Sequence, residues 1–181
     1  DAPLRVDLAG TVLDQQTAGF ITGHDAYRDE ALSRSNPNPD AYRKAHALRL
    51  TGVLSPAHEE AMRFEFRPYL RSSRMEFLQH FVPWQPVEEN SQDSLGLRAA
   101  LNTDLEGSSW ANGRETEYAD GRLKEYQQQN FSPNQPAGIH YDYQVGAALA
   151  AAFSQWRGTF QDWELSAGLR LEYTYYDYDN R

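Results

Sequence analysis

Two clusters hold the chain's most versatile side chains. His24-Asp25 with Tyr27, and the run His140-Tyr141-Asp142-Tyr143, each set an imidazole beside a carboxylate and a phenol. That mixture can meet a polar or metal-bearing ligand through donors and acceptors of several strengths. His80 stands in a third stretch, and Arg28, Arg34, Arg71 and Arg74 offer charge-assisted hydrogen bonds to an anion. The competing reading is ordinary loop chemistry: histidines bonded to nearby backbone, and arginines solvated or paired with local acids.

No enzyme constellation assembles from these residues. His58-Glu59-Glu60-Ala61-Met62 opens like a zinc-protease helix, but Met62 stands where the second histidine must be. G-x-S-x-G, P-loop and G-x-G-x-x-G patterns do not occur, and zero cysteine excludes thiolate zinc sites and a cysteine nucleophile. The expectation is binding without covalent chemistry, with no catalytic residue, no metal and no cofactor.

The 181 residues carry 17 basic and 26 acidic side chains, a balance of 17 − 26 = −9. No basic stripe exists to neutralise phosphates, which argues against a nucleic-acid partner. No apolar run approaches the ~20 residues of a membrane-spanning helix, yet alternating membrane strands stay open because they score as polar overall.

Alternation of period two is the strongest pattern in the chain. Leu4, Val6, Leu8, Gly10 and Val12 oppose Arg5, Asp7, Ala9 and Thr11; Leu48, Leu50, Gly52 and Leu54 oppose Arg49 and Thr51. Met62, Phe64, Phe66, Pro68 and Leu70 oppose Arg63, Glu65, Arg67, Tyr69 and Arg71, and Leu95, Leu97, Ala99 and Leu101 oppose Gly96, Arg98, Ala100 and Asn102. Leu165 to Tyr175 alternate against Glu164, Ser166, Gly168, Arg170, Glu172 and Thr174. Every charge in these five segments falls on the other face. Two segments are weaker. Val145, Ala147, Leu149, Ala151 and Phe153 alternate but also fit helical spacing; they read as a strand. Residues 109–118 put Arg114 and Glu115 on opposite faces, which breaks the rule if they form a strand.

Connections alternate in length. Short ones fall near 55–61, 104–109 and 157–162, long ones near 14–45, 72–93 and 119–143. Long loops at one end and short turns at the other are the habit of membrane barrels. Trp110, Trp156 and Trp163 sit beside short turns, where an interfacial girdle would lie, and Tyr173, Tyr175, Tyr176 and Tyr178 read as a second girdle. Asp25 and Asp40 look like N-caps of short helices in the first long loop, separated by Asn36-Pro37-Asn38-Pro39.

The apolar faces persist for about 9–12 residues, longer than the usual strand of roughly 5–6 in soluble sheets and matched to the ~9–11 of a bilayer crossing. Seven strands is an odd number, and an open seven-stranded sheet leaves two long edges. The chain opens at Asp1-Ala2-Pro3 without a signal segment and stops at Arg181 just after a strand. It therefore reads as part of a larger closed barrel, cut from a longer chain.

Five stretches carry a resemblance to a known family: TAGFITGHDAYRD (17–29), NPNPDAYR (36–43), PYLRSSRMEFLQHFVPWQPVEEN (68–90), HYDYQV (140–145) and AGLRLEYTYYDYDNR (167–181). They resemble the TonB-dependent outer-membrane receptors of Gram-negative bacteria, over nearly the whole chain. The resemblance implies an all-β fold in which residues 1–181 are about seven antiparallel strands, roughly a third of a 22-stranded barrel wall. Long loops would lie outside, short turns in the periplasm, and a plug, absent from this stretch, would fill the lumen and engage the TonB complex. Arg63, Glu65, Arg67, Arg98, Arg170 and Glu172 would then face the lumen, and the opposite face would meet outer-membrane lipid. A scarce small molecule would be bound and imported; an iron chelate of the ferric siderophore type is the expected cargo because it is the family's commonest. Its contacts are expected at His24, Asp25, Tyr27, Arg74, His80, His140, Tyr141, Asp142 and Tyr143. Two alternatives are a small autonomous eight-stranded outer-membrane barrel, structural or adhesive, and a soluble β-sandwich that binds carbohydrate.

Overall fold

In paired strands alternate residues point to opposite faces, so the register decides which side chains share a surface. The computed structural model describes residues 3–55 and 61–181. Seven strands form one antiparallel sheet in chain order: β1 Leu4–Gln16, β2 Tyr42–Leu54, β3 Met62–Leu78, β4 Val87–Leu105, β5 Ser108–Gln127, β6 Gly138–Phe160 and β7 Trp163–Asn180. A single 3-10 turn (Ala26–Arg28) and a short helix, α1 (Glu30–Ser33), interrupt the connection from β1 to β2. A sandwich would need a second sheet over the apolar face. The described residues supply one sheet, whose apolar side chains stay open, Leu8 at 68% and Leu169 at 65% exposure. The soluble sandwich fails on that ground.

One row of direct cross-strand partners crosses all seven strands: Leu8, Leu50, Leu70, Leu95, Tyr118, Ala148 and Tyr175. Nearer the long connections the same face becomes charged, through Asp14, Lys44, Glu76, Glu89, Lys124 and Asp142 in one row. Nearer the short turns it carries Trp110 paired with Trp156, and Phe160 paired with Trp163. From Trp110 to Asp120 the strand advances about 33 Å at ~3.3 Å per residue. With a tilt of ~40° that is about 25 Å of height, the thickness of a barrel's apolar band.

The strands outrun the alternation that reveals them. β3 continues through residues 72–78, β4 begins at Val87, and β5 and β6 run to Gln127 and from Gly138. The expected loops 72–93, 119–143 and 14–45 therefore shrink to 79–86, 128–137 and 17–41. Beyond the band the apolar face turns charged and the alternation that marked it ends, while the pairing of the strands continues. Asp40 caps no helix, because the residues after it enter β2. In the same connection Asp25 does stand at the N-cap position of the 3-10 turn, though its side chain makes no capping bond, and Asp29 caps α1, its carboxylate accepting from the N–H groups of Ala31 and Leu32.

β6 is a strand, but the alternating set Val145, Ala147, Leu149, Ala151 and Phe153 lies on the charged face: Phe153 pairs with Arg170 and Ala151 with Glu172. Its band-facing side is Ala148, Ala150, Ala152 and Trp156. Residues 109–118 lie within β5, and Arg114 sits exposed on the apolar face between Ala99 and Ala152. Two short connections are two-residue turns, Glu106-Gly107 and Gln161-Asp162, with Gly107 at φ 70 and Gln161 at φ 54. Left-handed backbone of this kind matches the twist of tight hairpins. The β2–β3 connection and His58-Glu59-Glu60 lie outside the described residues apart from Ser55 and Ala61.

A single-layer sheet has no interior, and burial gathers instead at the crown, where the long connections meet. Ala41, Pro86, Val87, Gln79, Glu125 and Gln127 are all buried there.

Candidate functional site

The charged face of the sheet is built around two glycines. Tyr69, Gly96 and Glu117 are consecutive cross-strand partners on β3, β4 and β5. A Cβ on Gly96 would lie 2.3 Å from the Tyr69 ring, so only glycine lets the phenol cross β4. Its hydroxyl then donates to Glu117 Oε2 at 2.7 Å, and Arg71 donates to Glu117 Oε1. Gly113 does the same for Phe153, whose ring carries the Arg98 guanidinium 4.7 Å from its centroid.

The register puts Arg63, Glu65, Arg67, Arg98, Arg170 and Glu172 on this one face. Arg63 pairs with Asp104 at 2.6 Å and Arg67 with Glu65 at 2.7 Å. Arg170 bridges Glu115 at 2.9 Å and Glu172 at 2.8 Å. Arg98 has no acid partner among the described residues. Arg63–Asp104 and Arg170–Glu115 tie different strands together, whereas Arg67–Glu65 and Arg170–Glu172 pair within one strand.

The crown holds a denser network. His140 stands where the β5–β6 register slips at Glu125/Tyr126, and it opposes no residue of β5. A bulge re-aims its side chain: Nε2 lies 2.9 Å from the Pro136 carbonyl and Nδ1 3.2 Å from Glu125 Oε1. A carbonyl and a carboxylate both accept, so the geometry favours a ring protonated on both nitrogens. The Pro136 carbonyl, and after it Glu125, raises the His140 pKa above its ordinary value against the opposing effect of burial. Gln79 donates to Glu125 Oε2 and Glu88 Oε2, both at 2.9 Å, and Asn90 donates to Glu88 Oε1 at 3.0 Å. Strands β4 to β6 and the loops 79–86 and 128–137 are thereby joined at one point.

The expected ligand contacts do not converge. His24 is 98% exposed on its side chain and lies 3.6 Å from Asp25, which also pairs with Arg28 at 3.4 Å. Tyr27 accepts from Arg28 in the same connection. Arg74 stands on the other side of the wall, on the apolar face's charged extension, and is held by Asp93 in a two-bond clasp. His140 to Tyr143 belong to β6 rather than a loop, so they split between faces: Tyr141 pairs with Glu125, while Asp142 pairs with Lys124. Arg122 clasps Asp142 and holds its carboxyl below the ordinary range. Tyr143 packs on Tyr178 at 5.2 Å. Tyr178 and Tyr176 share the charged face, so only Tyr173 and Tyr175 of the four tyrosines belong to an apolar-face girdle. His80 lies in the loop 79–86 with its ring 5.8 Å from Phe81, and its Nδ1 is buried without a partner.

A cleft of about 480 Å³ opens between the loops 79–86 and 128–137, which the sequence reading did not single out. Trp84 and Phe131, with ring centroids 6.3 Å apart and planes at 56°, contribute aromatic walls. Asp40 and the amides of Gln85, Gln127 and Gln129 contribute polar groups. The sequence carries the glutamine run 127–129 and the tryptophan at 84, two features that hydropathy does not register and that only the fold brings together.

No family model matches the chain, and no curated protein matches it. Among solved structures, the crystal structure of the ferric citrate transporter FecA in its unliganded form superposes with a TM-score of 0.78 at 11% sequence identity. The match covers 99% of this chain and 28% of that one, so the chain spans little more than a quarter of the structure it resembles. The likeness establishes the fold: seven consecutive antiparallel strands of a β-barrel wall.

Proposed function

We propose that residues 1–181 are part of the barrel domain of an outer-membrane transporter that binds a scarce small molecule at its crown and imports it with TonB-derived energy. The observation that carries this reading is the two-faced sheet. Its apolar face is open, about 25 Å tall at the tilt of a barrel, edged by Trp110, Trp156 and Trp163 below and by charged rows above. Such a surface is costly in water and matched to lipid. The other face, lined by ion pairs, suits a filled or watered lumen. Binding and gating then replace catalysis, and the partners are outer-membrane lipid, a plug that engages the TonB complex, and the cargo. A ferric siderophore is the cargo that the family resemblance implies, and the FecA likeness is in keeping with it.

The test is fractionation of cells expressing the full-length protein, with electrophoresis of unheated and boiled samples. The reading expects the protein in the outer-membrane fraction, with a faster-migrating folded form that boiling abolishes. A folded protein found only in the soluble fraction would refute it.

A further inference from the structure

Aromatic rings, side-chain amides and an unpartnered buried acceptor meet in the cleft between the loops 79–86 and 128–137. Resting on the reading that these loops belong to the ligand-binding crown of a transporter, and departing from the ferric siderophore that the resemblance implies, we propose that the cleft binds a neutral, hydroxyl-rich ligand of saccharide type.

The orphan acceptor is the first ground. Gln127 is 5% exposed and lines the cleft. Its amide nitrogen donates to the carbonyls of Gln129 and Gln135. Flipping the amide would set its oxygen against both carbonyl oxygens, so its orientation is fixed. The Oε1 atom is then left buried with no partner. Buried polar atoms are nearly always satisfied, and this one calls for an incoming donor. A hydroxyl supplies a proton; a ligand carboxylate does not.

Charge is the second ground. Asp40 is the one charged residue lining the cleft, and it has no ion pair among the described residues. No lysine or arginine lines it. An anionic chelate would need cationic partners to offset its desolvation, and would meet a free carboxylate instead. A polyol gains from the same carboxylate, which accepts from two hydroxyls.

Shape is the third. The Trp84 and Phe131 rings form two non-parallel apolar walls, on which the C–H faces of a sugar ring can lie. The side-chain amides of Gln85 and Gln129 each carry donor and acceptor atoms, which hydroxyls can meet in both roles. Gln85 is held at φ 44 and donates to Asn38 Oδ1 at 3.3 Å, which ties this wall to the β1–β2 connection. The volume falls in the usual range of roughly 300–1,000 Å³ for small-ligand sites.

The experiment is calorimetric titration of the full-length protein, in detergent, with neutral oligosaccharides built on glucose, mannose, galactose and N-acetylglucosamine, and with ferric citrate as the anionic probe. Folding of each variant is checked by heat-modifiable migration. The expected result is binding of a neutral oligosaccharide that Trp84→Ala weakens at least about tenfold and Asp40→Asn weakens several-fold, with Gln127→Leu weakening it as well. Overturning results are no neutral binding by the folded protein, neutral binding unmoved by both Trp84→Ala and Gln127→Leu, or ferric citrate binding lost in Trp84→Ala. Membrane insertion is read separately. Sugar binding by a protein that never enters the membrane would keep the cleft and refute the transporter reading; an inserted barrel that binds no sugar would do the reverse.

Discussion

Replacing Leu169 by arginine probes the lipid-facing assignment at a position whose cost follows from its height. Leu169 lies on β7 six residues past Trp163, about 20 Å along the strand. At a tilt of ~40° this is roughly 15 Å above the lower aromatic edge, close to the middle of a ~25 Å band. Its cross-strand partner is Ser154, and 65% of the residue is exposed, so no protein pocket shelters a charge there. An arginine at the mid-plane of a barrel's lipid face costs about 2–4 kcal/mol. Arg98→Glu is the matched change on the other face. Arg98 gives up its contact over Phe153, worth about 0.5–1 kcal/mol, and the new carboxylate gains Arg67 as its direct neighbour while facing Glu115. Its loss should stay near 1 kcal/mol. The assay is equilibrium unfolding of the full-length protein from phospholipid vesicles, followed by tryptophan fluorescence. Equal losses, or a larger loss for Arg98→Glu, would refute the assignment of faces.

Arg114→Leu should do the opposite of Leu169→Arg in the same assay. Arg114 lies about 10 Å above Trp110 on the apolar face, and it has no ion pair among the described residues. Removing it should stabilise the barrel by about 1–3 kcal/mol, and a loss would contradict its lipid exposure. Gly96→Ala should displace the Tyr69 ring and cost about one hydrogen bond, roughly 1–2 kcal/mol. Tyr69→Phe should remove the same bond, so the double variant should lose much less than the sum; full additivity would argue against the bridge over β4. For His140 the folded pKa is raised, so its stabilisation is fully present below the unfolded value of about 6.5 and is lost as pH rises through the folded value. Amide exchange in the loop 128–137 should therefore quicken across that rise once corrected for intrinsic rates, and His140→Ala should abolish the dependence. A pH-independent exchange ratio in the native protein would count against the coupling.

The wall was legible where one face is apolar over a full bilayer height. Leu4–Val12, Phe64–Leu70, Leu95–Leu101 and Leu165–Tyr175 each show the period because lipid demands one apolar side and the charged face demands the other. The pattern failed in β6, where alanines face outward and Val145, Leu149 and Phe153 face the charges. Small residues suffice against lipid, and the largest of the three, Phe153, is spent covering Gly113. The upper strands were hidden because Met75 and Phe77 fall on the face opposite Phe66 and Leu70, which breaks the alternation, and Glu88–Asp93 is polar throughout, so only pairing reveals them. The crown was least legible. Its site depends on two loops meeting, so Trp84 and Gln127 carry no mark in the sequence that joins them. His140 was singled out for the right neighbourhood, but contiguity misled: residues 140–143 alternate between faces once they are strand.

The central claim is that one face of this sheet meets lipid and the other does not, and β4 is the place to measure it. The 181 residues contain no cysteine, so a spin label can be attached at single cysteines introduced at each position from 95 to 101 of the reconstituted full-length protein. The account predicts collision with oxygen, which is lipid-soluble, peaking at positions 95, 97, 99 and 101. Collision with a polar nickel reagent should peak, if at all, at 96, 98 and 100. Absence of a two-residue period, or the same period in the opposite phase, would contradict it.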